Sequence, residues 1–184
     1  MKSTGIVRRI DDLGRLVLPK EIRRTMRIRE GDPLEIYTNN GEVIFKKYSP
    51  IGELSTFAGE YAETLYKTCA LSVVICDRDA VIATAGVSRK EYADKPLSEE
   101  LEQIMEQRSL YVHRDEMPEI GAIEQGGSRV VRCAMPILSE GGDIVGCVVS
   151  LCSEKEEGRK TPPGDAEIKL IQTAAGFLGR QVES

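Results

Sequence analysis

The first fifty residues cannot enclose a core of their own, and that shortage limits the fold of this chain more than any other feature. They supply roughly fifteen aliphatic, Met or Phe side chains, spread over four short strand-like runs and one small helical run. A stretch of that size is marginal as an isolated domain without metals, disulfides or oligomerisation. The first two remedies are not in prospect. All five cysteines (Cys69, Cys76, Cys133, Cys147, Cys152) lie outside this stretch and form no Cys-x-x-Cys pair, and His113 is the sole histidine, so no zinc spacing exists. A second copy of the same chain is the remaining way to complete the core.

Charge divides the chain at the same place. Residues 1–50 hold 11 Lys and Arg against 7 Asp and Glu, net +4, whereas residues 51–184 hold 14 against 23, net −9. A basic head on an acidic body points to a polyanion partner for the head and a different task for the body. Nine of the basic residues fall in the first thirty positions: Lys2, Arg8, Arg9, Arg15, Lys20, Arg23, Arg24, Arg27 and Arg29. Seven of the nine are arginine, whose planar fork suits phosphates and the O6/N7 edge of guanine. A basic stripe is more often a solvated face, but these arginines come from a strand, a turn and a helix that folding can gather. Double-stranded DNA is the expected partner. RNA is disfavoured, because no aromatic residues interleave with the arginines for stacking.

Within the head, Gly5 to Ile10 and Arg15 to Leu18 read as strands around the turn Asp11-Asp12-Leu13-Gly14. Pro19 suits the first position of a helix. Ile22 and Met26 stack on one side of that helix, with Lys20, Arg23, Arg24 and Arg27 on the other. After Gly31-Asp32-Pro33, the runs Leu34 to Thr38 and Glu42 to Tyr48 form a hairpin around Asn39-Asn40-Gly41.

The runs Lys2-Ser3-Thr4-Gly5-Ile6-Val7-Arg8, Asp11-x-Leu13-Gly14-Arg15 and Pro19-x-Glu21-Ile22-Arg23-Arg24-Thr25 resemble the DNA-binding half of AbrB-type transition-state regulators. With the body attached, the whole chain resembles the stage V sporulation protein T family. The resemblance implies a swapped-hairpin homodimer over residues 1–50, with Arg8, Arg15, Arg23 and Arg24 at the DNA-contacting positions. Many relatives place glycine where Arg27 stands. Arg27 either extends the helix or adds a phosphate contact, and the sequence leaves both open.

The body, residues 51–184, is long enough for a core of its own. Ser49-Pro50 reads as a helix start, followed by the stripe Leu54, Phe57, Ala58, Tyr61, Ala62 and Leu65. Leu71 to Cys76 and Ala80 to Ala85 form a hairpin through Asp77-Arg78-Asp79. Leu97, Leu101, Ile104 and Met105 mark a second helix capped by Ser98, and a short strand follows at Leu110 to Val112. Residues 114–128 read as a mobile loop or pocket lid. The alternating run Val131, Cys133, Met135, Ile137 turns through Gly141-Gly142-Asp143 into the apolar strand Ile144 to Leu151. After Thr161-Pro162-Pro163-Gly164, Asp165 caps a long helix. Its two apolar lines are Ile168, Ile171, Ala175, Leu178, Val182 and Leu170, Ala174, Phe177. Either both face the body's own sheet, or one is left for a partner helix.

This element order, with Met135-Pro136-Ile137 and Gly142 to Val148, resembles a GAF sensor domain. The expected fold class is therefore α+β in two domains: a small β-rich swapped-hairpin dimer, and an α/β GAF-like sensor with a central antiparallel sheet. The GAF resemblance implies a small-molecule pocket between the sheet and residues 86–128, without saying what fills it. The cyclic-nucleotide signature needs an asparagine, and none follows Asn40; the bilin-attaching Cys-His pair is missing too. No cofactor is therefore expected. Arg129 and Arg132 serve either an anionic ligand or surface salt bridges.

Together these features predict a transcription regulator, activator or repressor, and the resemblance implies that its role is in sporulation. Its dimeric head contacts DNA, and its body mediates assembly, through body helices into a homotetramer, and small-molecule sensing. The alternative is an antitoxin with a similar head, but such antitoxins carry a short disordered tail, whereas this body is apolar and periodic enough to fold. Catalysis is disfavoured, since one histidine supports no triad and no Gly-x-x-x-x-Gly-Lys-Ser/Thr loop occurs. Reduced core cysteines and the absence of an apolar run of about 18 residues read as a cytoplasmic protein with no membrane segment.

Overall fold

The computed structural model describes residues 4–152 and 162–182. Lys2 and the charged loop ending at Thr161 lie outside the described residues. Two compact units divide the chain, residues 1–48 and 49–184.

In the head, β1 (Leu34–Asn39) pairs antiparallel with β2 (Glu42–Lys47), Leu34 opposite Lys47 and Asn39 opposite Glu42. Asn40 and Gly41 both take positive φ, 45° and 82°, the pair of left-handed residues that a two-residue hairpin turn requires. Helix α1 (Lys20–Thr25) is preceded by Pro19, which sits in extended conformation as the cap, one position earlier than the sequence suggests. The helix ends at Arg27, whose φ is 50°. Arg27 N donates to Arg24 O at 3.2 Å and Ile28 N to Arg23 O at 2.7 Å, the double closure built on a left-handed residue. Arg27 therefore stops the helix and does not extend it. Lys47 Nζ donates to Arg27 O at 2.8 Å and lies 3.5 Å from Asp32 Oδ2, which accepts from Arg29 N at 2.7 Å. The helix exit is thus tied to β2.

A left-handed residue with a Cβ costs about 1–2 kcal/mol, while glycine's larger unfolded-state entropy returns about 0.5–1 kcal/mol of that. Arg27→Gly is expected to stabilise the head by about 0.5–1 kcal/mol, read as a higher urea midpoint. A lower midpoint would show that the Arg27 side chain matters more than its backbone.

The strands expected at residues 5–10 and 15–18 are not strands within one chain. Only their turn closes, with Asp11 N donating to Arg15 O and Gly14 N to Asp11 O. The reason is the accounting of backbone groups: a strand needs a ladder partner, and among the described residues the stretches 6–10 and 16–18 join no strand ladder. Their apolar side chains are left in solvent, Val7 85% and Val17 71% exposed, with Ile6, Ile10, Leu13 and Leu16 also exposed.

The body is built on one five-stranded antiparallel sheet in the order β4-β3-β7-β6-β5. Its strands are β3 (Ser72–Cys76), β4 (Val81–Ala85), β5 (Tyr111–Val112), β6 (Val131–Leu138) and β7 (Ile144–Leu151). One face is covered by α2 (Pro50–Glu53), α3 (Ser55–Cys69) and α6 (Asp165–Gln181), through Ile51, Ala58, Ala62, Leu65, Ile171, Ala174, Ala175 and Leu178. The other is covered by the 86–128 segment with α4 (Arg89–Tyr92) and α5 (Glu99–Glu106), through Tyr92, Leu97, Leu101, Ile104, Met105, Ala122 and Ile123. Alternation of side chains along the strands feeds both cores: Val73 and Ile75 point to the first, Val74 and Cys76 to the second. This helix–strand order and antiparallel sheet are the arrangement that the GAF resemblance implied.

Several details depart from the sequence reading. The helix expected from Ser49 breaks at Leu54 into α2 and α3. Helix α4 was not anticipated, because four residues carry no periodicity. Part of the expected lid is core: Ala122 and Ile123 are buried. Gly164, not Asp165, occupies the cap of α6. Leu178 lies wholly inside the first core, and Ala174, expected on the other line, is buried with it, whereas Phe177 is 40% exposed. Two glycines are set by close approach. A Cβ on Gly179 would lie 2.3 Å from Leu138 O, and one on Gly146 2.2 Å from Cys76 O, so α6 and β7 seat against neighbouring backbone.

Arg129 and Arg132 are buried, which removes the surface role. Arg129 Nη1 donates to Ser72 Oγ, Gly86 O and Cys152 O at 3.0–3.3 Å. Arg132 Nη2 pairs with Glu167 Oε2 at 3.0 Å, and Glu167 Oε1 accepts from Ser150 Oγ at 2.7 Å. Both arginines pin body segments together.

The same interior controls the thiols. Burial first, and the nearby Glu167 carboxylate second, push the Cys133 thiol up to about 12; burial and then Cys76 push Cys147 well up. Cys69 alone among the cysteines is exposed. A thiol reagent at pH 8 is expected to modify Cys69 first and Cys76, Cys133 and Cys147 only after unfolding. Peptide mass mapping that finds these three labelled as quickly as Cys69 would contradict the packing.

Candidate nucleic-acid interface

The arginines of the head are placed by three pieces of backbone. The first is the 11–15 turn, organised by one carboxylate. Asp11 Oδ1 accepts from Leu13 N at 3.1 Å and Arg15 N at 2.7 Å, and Oδ2 accepts from Arg15 Nε at 2.7 Å. Gly14, at φ 75°, makes the reversal affordable for the backbone. The Arg15 backbone and guanidinium bonds hold the Asp11 carboxyl below its ordinary value of 3.8. A lowered carboxyl contributes above its unfolded value and is lost as pH falls through the folded one. The turn is therefore fully organised at neutral pH and loosens only in acid, below 3.8.

The second piece is α1, which carries Arg23 and Arg24 in its last turn, where the helix dipole favours positive charge. Thr25 Oγ1 donates back to Glu21 O at 2.9 Å. The third is the arm before the turn, which holds Arg8. Arg8, Arg15, Arg23 and Arg24 are all exposed. The fold brings Arg23 and Arg24 together on one helical turn, and sets Arg15 and Arg8 on either side of the Asp11 turn. Sequence reading missed the organising roles of Asp11 and Lys47. An Asp opening a turn that closes on glycine was the available signal for the first; nothing local announces the second, whose partners lie up to twenty residues away.

Chemically, the surface offers forked cations beside exposed apolar side chains such as Val7 and Val17. Among the described residues no three His, Cys, Asp or Glu side chains gather as a metal site. No described helix is long and apolar enough to cross a membrane.

The profile of the family described as "Stage V sporulation protein T C-terminal, transcription factor" matches residues 53–183. Over its whole length the chain is 50% identical to stage V sporulation protein T of Bacillus subtilis (strain 168), covering 99% of that protein. The chain belongs to the stage V sporulation protein T family. It is thus a homologue of a sporulation transcription factor, with an AbrB-type head and a C-terminal regulatory domain. Residues 7–52 match the profile of the bacterial antitoxin MazE. A 50-residue stretch is 60% identical to the transition state regulatory protein AbrB of B. subtilis, of which it spans 52%. The solution structure of the N-terminal DNA recognition domain of AbrB is also 60% identical, covering 26% of this chain and 91% of that domain, with a TM-score of 0.23. The membership favours a non-enzymatic role.

Proposed function

We propose that residues 1–50 form a swapped-hairpin homodimer that grips double-stranded DNA through Arg8, Arg15, Arg23 and Arg24. Residues 51–184 would then assemble the dimers into a homotetramer through body helices and sense a small molecule, in the cytoplasm. The observation that carries the reading is the state of residues 6–10 and 16–18: arms assigned to no strand, with exposed apolar side chains, on the unit that carries the exposed arginines. Two copies supply the ladder and double the head's charge to +8. Phosphate contacts would dominate affinity, and DNA shape and deformability would supply much of the preference.

Support for assembly through the body comes from one patch. Phe177 of α6 lies 5.7 Å from Phe57 and 5.6 Å from Tyr61 of α3, ring centre to ring centre, and it remains partly in solvent. The rival antitoxin reading has the match over 7–52 behind it. Against it stands a body with two packed layers, where a toxin-wrapping segment would be unfolded.

The test is DNA affinity of the full chain against salt. Each neutralised phosphate adds about 0.9 to the slope of log affinity on log salt, so several contacts give a steep loss. Affinity that does not respond to salt, or no binding by a folded protein, would reject the reading.

A further inference from the structure

The residue at which the body begins is hydrogen-bonded to the turn that supports its covering segment. Ser49 is the first residue of the body unit and follows Tyr48, the last of the head unit. Its hydroxyl does two things. It accepts from Gly52 N at 3.1 Å, capping α2, and it donates to Asp77 Oδ2 at 2.9 Å. The other oxygen of Asp77 accepts from Asp79 N and Ala80 N, both at 2.8 Å, and so builds the β3–β4 turn.

That turn is laced to residues 94–98. Leu97 N donates to Asp79 O, Val81 N to Lys95 O, and Asp94 N to Val81 O. Residues 96–98 are laced in turn to 121–124: Ser98 N donates to Ala122 O, Glu124 N to Pro96 O, and Ser98 Oγ to Gly121 O at 2.7 Å. Leu97, Ala122 and Ile123 of these two segments pack on the second core. A chain of backbone bonds therefore runs from the cover of that core to the start of the body, with Asp77 as its last link.

We infer that the Ser49–Asp77 hydrogen bond couples the state of the covering segment to the DNA affinity of the head. The inference rests on the proposed DNA-binding function. Anything that displaces 96–98 or 121–124 disturbs the β3–β4 turn, and Asp77 passes the disturbance to the residue from which the head leaves the body. Coupling of this kind needs differential contacts in two states; the Ser49–Asp77 bond seen here is the contact that a displaced covering segment would break.

The test separates the link from the cap. Aspartate caps a helix about as well as serine, so Ser49→Asp keeps α2 but sets a carboxylate against Asp77. Adding Asp77→Asn restores a donor for it. In the full chain, S49D is expected to leave the thermal melt of the body near wild type, and to speed hydrogen exchange at Ala80, Val81 and Leu97 about tenfold. DNA affinity should shift by about fivefold or more, in the range of typical coupling, and the double variant should return both readouts. If S49D perturbs the melt, Ser49→Gly removes the hydroxyl at little capping cost and gives the same comparison. Wild-type binding that neither variant alters, or faster exchange confined to residues 49–53, overturns the coupling alone. A wild-type protein that binds no DNA overturns the head's function and the coupling together.

Discussion

Leu178→Glu is expected to abolish the cooperative melt of the body, while Phe177→Glu, one residue earlier, lowers that melt by several degrees but keeps it cooperative, and halves the assembled mass. Leu178 is fully buried among Ile171, Ala174, Ala175 and the sheet residues of the first core. Losing a buried leucine costs about 2–5 kcal/mol before any charge is considered. An unpaired carboxylate in the same place adds several more or forces water in. A domain holds only about 5–15 kcal/mol in total, so the substitution takes most or all of it. Phe177 gives up less. It is partly in solvent, and its contacts with Phe57 and Tyr61 are worth about 0.5–1.5 kcal/mol each beyond area. Its charge would instead fall where a second body is proposed to dock. Sedimentation and thermal melts of the two variants decide the matter. A folded Leu178→Glu body would contradict the core, and a Phe177→Glu protein of unaltered mass would sink the body-helix interface.

The same helix shows how far sequence pattern reaches. Spacings of three and four residues located α6 and its apolar side. They could not say which line turns inward, because the deciding fact is Gly179, where α6 meets the Leu138 carbonyl too closely for any Cβ. That contact spans forty-one residues of sequence. The β3–β4 and β6–β7 hairpins were legible because period-two alternation and turn residues are local. The expected helix at residues 50–65 split because the cap at Ser49 serves a separate short turn fixed by Asp77, again a distant partner. In the head, the β1–β2 hairpin followed from Asn40-Gly41, while residues 5–10 and 15–18 read as strands that the structure assigns to no ladder. The arginines stood out by number and type. What holds Arg15, the two-oxygen grip of Asp11, is geometry that a turn propensity does not specify.

Arg23→Ala and Arg15→Ala are each expected to weaken DNA binding by about 1–3 kcal/mol per lost base contact, with the oligomer unchanged. Both side chains are exposed, so neither truncation opens a cavity. The Arg15–Asp11 pair is exposed, and an exposed ion pair adds little to stability. Asp11 still accepts the Leu13 and Arg15 backbone N–H groups in the variant, so the turn survives. In a dimer each substitution acts twice. The pattern of loss reports what each arginine reads. A residue on a base edge loses affinity for the preferred sequence and leaves scrambled DNA nearly untouched; one on a phosphate loses both alike and lowers the salt slope by about 1 per contact. Arg15→Lys refines the reading, since an ammonium keeps the charge but cannot make the forked pair. Lysine that fails to recover the sequence preference would assign Arg15 to a base edge, and lysine that recovers the salt slope and both affinities would assign it to a phosphate. Full affinity in both alanine variants, measured at fixed salt on folded protein, would remove these two arginines from the interface.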